Sequence, residues 1–131
     1  MSDLSPLQTV RAFSDAMEKM RFDEGLRYAA EDIEYINSPE THATGHAGIR
    51  EVLEPFFAPI EENEFILKRQ IESGNQVVLE RLDRHRVGTE WFELPVTGVY
   101  EVQNGKIVYW REYFDFNTIV SEMARIFGAA A

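Results

Sequence analysis

An α+β cone, in which helices cover one side of a curved, mostly antiparallel sheet, is the fold this sequence predicts. Two features carry that expectation. Apolar residues recur at helical spacing through the first part of the chain, and from Asn63 onward the period changes to two. Within that second part, Gly88-Thr89 and Asn104-Gly105 are dipeptides suited to two-residue hairpins.

Ser5-Pro6 opens the first helix, since Ser caps and Pro suits the first helical position. Leu7, Val10, Phe13, Met17 and Met20 supply its apolar face. A short second helix is expected from Asp23 to Ala29. A strand Ile33-Glu34-Tyr35-Ile36-Asn37 follows, stopped by Ser38-Pro39. The third helix, about Gly45 to Phe57, uses Ile49, Val52, Leu53 and Phe56. Strands are then expected from about Asn63 to Ser73, Gln76 to Val87, Glu90 to Gln103, and Lys106 to Asp115. Asn117 can cap a short C-terminal helix bearing Ile119, Val120, Met123 and Ile126.

A chain of 131 residues suits one domain spanning 1–131 and buries roughly two-thirds of its unfolded surface. Its 44% hydrophobic content argues against disorder. A net charge of −10 argues against nucleic acid as a partner, because phosphates are met by Lys and Arg. Cysteine is absent, which excludes disulfides, thiolate catalysis and cysteine zinc sites. The N-terminus lacks the basic and apolar regions of a signal peptide, and no apolar run reaches the ~20 residues that span a bilayer. A cytoplasmic, bacterial-type enzyme or binding domain is the expectation.

The chemistry lies where strands should be apolar. In Val77-Val78-Leu79-Glu80-Arg81-Leu82-Asp83 the odd positions read Val, Leu, Arg, Asp. The two turns set a register. Closing on Gly88-Thr89 pairs Arg81 with Val96 and Asp83 with Leu94; closing on Asn104-Gly105 pairs Val96 with Tyr113 and Leu94 with Asp115. Asp83 and Asp115 would then share a row, with Arg81 in the adjacent one. Pro95 is the expected site of any bulge that alters this register.

Two carboxylates bridged by a guanidinium titrate as a coupled unit, one protonated near neutral pH and the other ionised against Arg81. Such a pair can protonate a leaving oxygen and deprotonate water in one step, which suits opening an epoxide without metal or covalent intermediate. Tyr35 and Asn37, two apart on a strand, face the same way and can hold the water.

The segments Tyr35-Ile36-Asn37-Ser38-Pro39, Glu80-Arg81-Leu82-Asp83 and Trp110-Arg111-Glu112-Tyr113-Phe114-Asp115 resemble the three signature segments of limonene-1,2-epoxide hydrolases, in order and spacing along most of the chain. The resemblance implies the cone of nuclear transport factor 2 and SnoaL-like proteins, with a strongly curved mixed sheet and N-terminal helices on its concave face. It implies Asp115 as general base on a water held by Tyr35 and Asn37, Asp83 as general acid, and Arg81 as the bridge. It further implies catalysis without cofactor and a homodimer. The substrate would be a small apolar epoxide, cyclic or aryl, opened to a vicinal diol. The stretch Arg84-His85-Arg86-Val87-Gly88-Thr89-Glu90-Trp91 is more polar than the family's usual version, which bears on substrate identity.

Other readings stand beside this one. The same fold serves ketosteroid-isomerase-like or SnoaL-like isomerases and cyclases, and also non-catalytic ligand-binding domains; retention of all five polar residues argues against the last. An Arg-x-Asp pair alone is most often a surface ion pair, and Asp115 alone is an N-cap candidate beside Asn117. Arg111 and Glu112 carry no assigned role, with Arg111 expected in an ion pair towards the wider end of the sheet. His42, His46 and His85 lack metal-ligand spacing and are expected in surface or loop positions, with the pocket mouth as the alternative for His85.

Overall fold

The computed structural model describes residues 3–37 and 41–128, so the expected strand stop at Ser38-Pro39 lies outside the described residues. Helix α1, Pro6–Glu18, starts at a reciprocal cap: the Gln8 N–H donates to Ser5 Oγ and the Ser5 N–H to Gln8 Oε1. Val10, Phe13 and Met17 are buried along its apolar face, each such side chain contributing roughly 1.5–3 kcal/mol. Met20 falls beyond the helix, in a left-handed conformation with φ 57°.

Helix α2, Phe22–Leu26, is shorter than expected because strand β1 begins already at Ala29 and runs to Asn37. Strand β2, Thr41–Thr44, pairs antiparallel with β1 and was not expected, since four polar and small residues give no alternation. Helix α3 covers Gly45–Phe57 as the apolar spacing predicts. The strands β3 Glu62–Ser73, β4 Gln76–Val87, β5 Glu90–Gln103 and β6 Lys106–Tyr113 follow, then helix α4, Phe116–Gly128.

The strands form one curved sheet in the order β2-β1-β6-β5-β4-β3. It is mixed because β1 and β6 run parallel while the other neighbours are antiparallel. Helix α1 lies against β3 to β6, α3 packs on β1 and β2, and α4 rests on β5. The face beneath these helices carries Val77, Leu79, Arg81, Asp83, His85 and Val87 of β4, all buried. No helix among the described residues is long and apolar enough to cross a membrane.

At the Gly88-Thr89 turn only Gly88 has positive φ (61°), the type II′ pattern; at the next turn both Asn104 (52°) and Gly105 (76°) do, as type I′ requires. The first turn gives the expected register, Arg81 with Val96 and Asp83 with Leu94. Pro95 pairs with Leu82 and causes no shift there. Pairing of β5 with β6 ends at Thr97 and Tyr113, so Pro95 lies where β5 has a free edge, a place the ladder tolerates.

The expected shift occurs elsewhere. Val102 pairs with Ile107 but Glu101 pairs with Tyr109, leaving Val108 as an extra residue in β6. From Tyr109 onward every β6 side chain therefore faces opposite to a strict count from Asn104-Gly105. Tyr113 pairs with Thr97 rather than Val96, and Glu112 lies opposite Gly98.

Candidate active site

The slip in β6 decides which carboxylate enters the cone. Trp110 and Glu112 point inward and are buried, whereas Asp115 lies past the strand end and is exposed. Asp115 Oδ1 accepts from the Asn117 N–H at 3.0 Å and Oδ2 from the Thr118 hydroxyl at 3.1 Å. It thus caps α4, offering its oxygens to N–H and O–H donors that the first helical turn leaves unpaired. The pocket position expected for Asp115 belongs to Glu112.

Arg81 organises the site. Its Nε donates to Asp83 Oδ1 at 2.9 Å and its Nη2 to Asp83 Oδ2 at 3.0 Å, a bidentate pair on one strand. Nη2 also donates to Glu112 Oε1 at 2.6 Å, and Nη1 to Tyr100 Oη at 2.9 Å and Glu112 Oε2 at 3.4 Å. The side chains of Arg81, Asp83 and Glu112 are 4%, 7% and 9% exposed. Two enclosed carboxylates thus share one cation, and a single proton brings the group to neutrality.

Burial pushes the Glu112 carboxyl above its ordinary pKa, and Arg81 opposes that rise without cancelling it. Burial likewise works against the charge on Arg81, but Glu112, Tyr100 and Asp83 more than offset it and hold the guanidinium protonated. The Tyr100 phenol is pushed up, first by burial and then by Glu112, so it stays neutral.

Tyr35 and Asn37 face the same pocket from β1. Asn37 is the cross-strand partner of Glu112, and Tyr35 of Trp110, on whose indole it stacks at 4.1 Å between centroids. Asn37 Nδ2 donates to Tyr35 Oη at 2.5 Å, leaving the phenolic hydrogen and the Asn37 carbonyl for a third group. Burial and the nearby Glu112 raise the Tyr35 pKa, so the phenol remains a donor. Together these side chains surround the space beside Glu112.

The pocket is a cavity of about 250 Å³ whose walls are mostly apolar. Phe13 and Met17 of α1, Leu53 and Phe56 of α3 and Phe116 and Ile119 of α4 face the polar cluster. Cavities of about 150 Å³ hold benzene, so a substituted ring fits here. Among the described residues no three His, Asp or Glu side chains gather in a way that could hold a metal ion.

Four further side chains enter the pocket without having been singled out as certain members. Glu112 and Trp110 were hidden by the bulge: Ile107, Val108, Tyr109 and Trp110 are all apolar, so alternation could not mark the slip. Tyr100 showed only as one of an apolar series. His85 is neither on the surface nor in a loop; it is 2% exposed on β4, because Arg84 to Trp91 form a regular hairpin. His46 is half-buried, with Nε2 3.0 Å from the Ala29 carbonyl, and His42 is exposed on β2. Arg111 faces the outside, its guanidinium 4.7 Å from the Tyr113 ring centroid, and among the described residues it makes no ion pair.

Comparison with known proteins bears on the family and the fold. The sequence pattern described as the limonene-1,2-epoxide hydrolase catalytic domain matches residues 4–125. Epoxide hydrolase EphG of Mycobacterium tuberculosis is 29% identical over 106 residues, covering 81% of this chain and 70% of that protein. The solved structure of a limonene-epoxide-hydrolase-like enzyme of M. tuberculosis superposes with a TM-score of 0.75 at 26% identity, over 94% of this chain and 96% of the other. A putative SnoaL-like polyketide cyclase from Shewanella denitrificans superposes with a TM-score of 0.80 at 14% identity, over 92% and 97%. An NTF2-like protein of unknown function from Burkholderia pseudomallei does so with a TM-score of 0.77 at 23% identity, over 95% and 97%. The last two share the fold, and at such identities only the fold.

Proposed function

As this chain belongs to the limonene-1,2-epoxide hydrolase family, we propose that it adds water to small, largely apolar epoxides to give vicinal diols in one step. The observation that carries this reading is the Arg81 guanidinium held between Asp83 and Glu112, beside Tyr35 and Asn37, in an apolar cavity. The likeness to an enzyme called an epoxide hydrolase supports it.

The reactive arrangement has the single proton of the pair on Asp83 and Glu112 ionised; burial favours that proton on Glu112, so it crosses to Asp83 before the epoxide opens. Water held by Tyr35 and Asn37 attacks one oxirane carbon and gives its proton to Glu112. The carbon–oxygen bond breaks as Asp83 delivers its proton to the departing oxygen. Glu112 then holds the proton and Asp83 is ionised; passage of one proton back through solvent restores the pair. Arg81 stays charged throughout and limits the cost of moving negative charge from one carboxylate to the other. A raised pKa makes Glu112 a stronger base for water, and each proton transfer is typically worth about 10²–10⁴ in rate.

The substrates expected are cyclic or aryl epoxides. The purified protein, treated with chelator, is incubated with limonene oxide, cyclohexene oxide and styrene oxide, and diol is followed by gas chromatography. Diol from at least one, lost in Glu112→Gln and Asp83→Asn, is the expected result. Isomerisation of a β,γ-unsaturated ketone with no epoxide opened would replace this reading with the isomerase one. A homodimer belongs to the same proposal and is supported by exposed apolar side chains such as Ile66, Ile71, Val120 and Phe127.

A further inference from the structure

His85 is a buried titratable side chain that the mechanism above leaves unused. It lies two residues beyond Asp83 on β4, so both project from the same face. Its ring is enclosed by aromatic neighbours, edge-on to Phe56, Phe57 and Phe65 with centroids 5.3, 6.1 and 6.2 Å away, and tilted against Phe92 at 5.0 Å. An apolar side chain would serve such packing as well, so the imidazole needs another reason to be there.

Its hydrogen bonds fix the tautomer. Asn63 Nδ2 donates to the Glu18 carbonyl at 3.1 Å. That carbonyl can only accept, so the amide nitrogen must face it and Asn63 Oδ1 must face His85. His85 Nδ1 lies 2.6 Å from Oδ1 and therefore carries the hydrogen. Nε2 is left as a bare acceptor. Among the described residues it has no partner, yet it is not sealed from the cavity that His85 lines. Its lone pair opens into that space.

We propose that His85 is a specificity residue and that the substrate is an epoxide bearing a hydroxyl group, which donates to His85 Nε2 while the oxirane oxygen meets Asp83. This rests on the epoxide-hydrolase reading of the site. Two strand residues rise ~6.8 Å, so the hydroxyl and the oxirane oxygen stand on the order of 6–7 Å apart. That is the span of a six-membered ring with a hydroxymethyl arm opposite the oxirane. Burial lowers the imidazole pKa to about 4, outweighing the attraction of Asp83, so the ring is neutral and Nε2 can accept at neutral pH. Arg81, also facing it, acts in the same direction as burial.

The test compares two cyclohexene oxides that carry, at the ring position farthest from the oxirane, either a hydroxymethyl or an ethyl group. They differ only by O–H against CH₃. Wild type should favour the hydroxymethyl compound in kcat/KM by about tenfold or more, since an unmet buried acceptor is costly. His85→Leu should reverse the order, with the ethyl compound preferred. His85→Gln, which keeps an acceptor, should retain part of the wild-type preference, and His85→Phe replaces the leucine variant should that fail to fold. Equal rates in wild type, or an unchanged preference in His85→Leu, would overturn the assignment.

If no epoxide opens at all, the functional reading fails first, and binding of cyclohexylmethanol by calorimetry tests His85 alone. Wild type should then bind it about tenfold more tightly than His85→Leu. Equal affinities would refute the hydroxyl site independently of catalysis.

Discussion

Gly98 faces Glu112 directly across the β5–β6 ladder, and a methyl group on Gly98 would come within 2.5 Å of Glu112 Oε2 and 2.6 Å of Tyr100 Oη. The glycine leaves the room in which the buried carboxylate lies against Arg81. Gly98→Ala should fold, at a cost of about 1–3 kcal/mol from overpacking. Its turnover should drop about 10²-fold as Glu112 is displaced from its position. Urea unfolding and diol formation measured on one preparation separate the two effects.

Glu112, not Asp115, should be indispensable. Glu112→Gln should lower kcat by about 10²–10⁴ while Asp115→Asn keeps near-normal turnover. Asp115→Ala should instead lose about 1 kcal/mol of stability, the usual worth of a helix cap. The Glu112 pKa is raised in the folded protein, so the folded state holds the proton more tightly than the unfolded one. Stability then falls as pH rises from the ordinary glutamate value through the folded one. Denaturant midpoints against pH should show that slope in wild type and not in Glu112→Gln.

Arg81→Met should be the most destabilising single change in the site. It removes the cation shared by two buried carboxylates, and breaking a buried pair in this way costs about 3–5 kcal/mol. Arg81→Lys should recover part of the stability but little of the activity, because an ammonium cannot bracket two carboxylates with a planar fork. Chemical denaturation and diol assays of the two variants check both statements.

Acid should weaken the protein partly through His85. Its ordinary pKa of 6.5 falls to about 4 on folding, through burial, with Asp83 opposing and Arg81 assisting. Between these values the unfolded chain binds the extra proton, so stability drops as pH is lowered from 6.5 to about 4. The full contribution is roughly 3 kcal/mol. His85→Leu should lose less stability over the same range, read from thermal midpoints at each pH.

Much of this molecule is legible in the chain. The Ser5-Pro6 cap, the Gly88-Thr89 and Asn104-Gly105 turns and the alternation of β4 and β5 fix α1 and the central hairpin. They also put Arg81 and Asp83 on the enclosed face. These are local signals, each set within a few residues by sterics or periodicity. The third member of the cluster depended instead on counting across β6, and a count fails where one residue is extra. Nothing in Ile107-Val108-Tyr109-Trp110 marks Val108 as that residue, because all four can face a core. Pro95, the more obvious irregularity, was harmless because β6 ends before reaching it. His85 escaped for a different reason: a polar ring among phenylalanines is recognisable only once Asn63 and the four rings are assembled around it.

Val108 makes the reaction centre depend on one irregular step in an otherwise regular ladder. Deleting that residue would only smooth the strand, leaving Ile107 with Val102, Tyr109 with Glu101 and Glu112 opposite Gly98. Ironing the bulge flat with Val108 kept in the ladder would instead carry Glu112 to the convex side and bring Arg111 in beside Arg81, exchanging an anion for a second cation. A chain of identical composition and length could thus be inert or reactive according to whether a single residue is left out of the pairing.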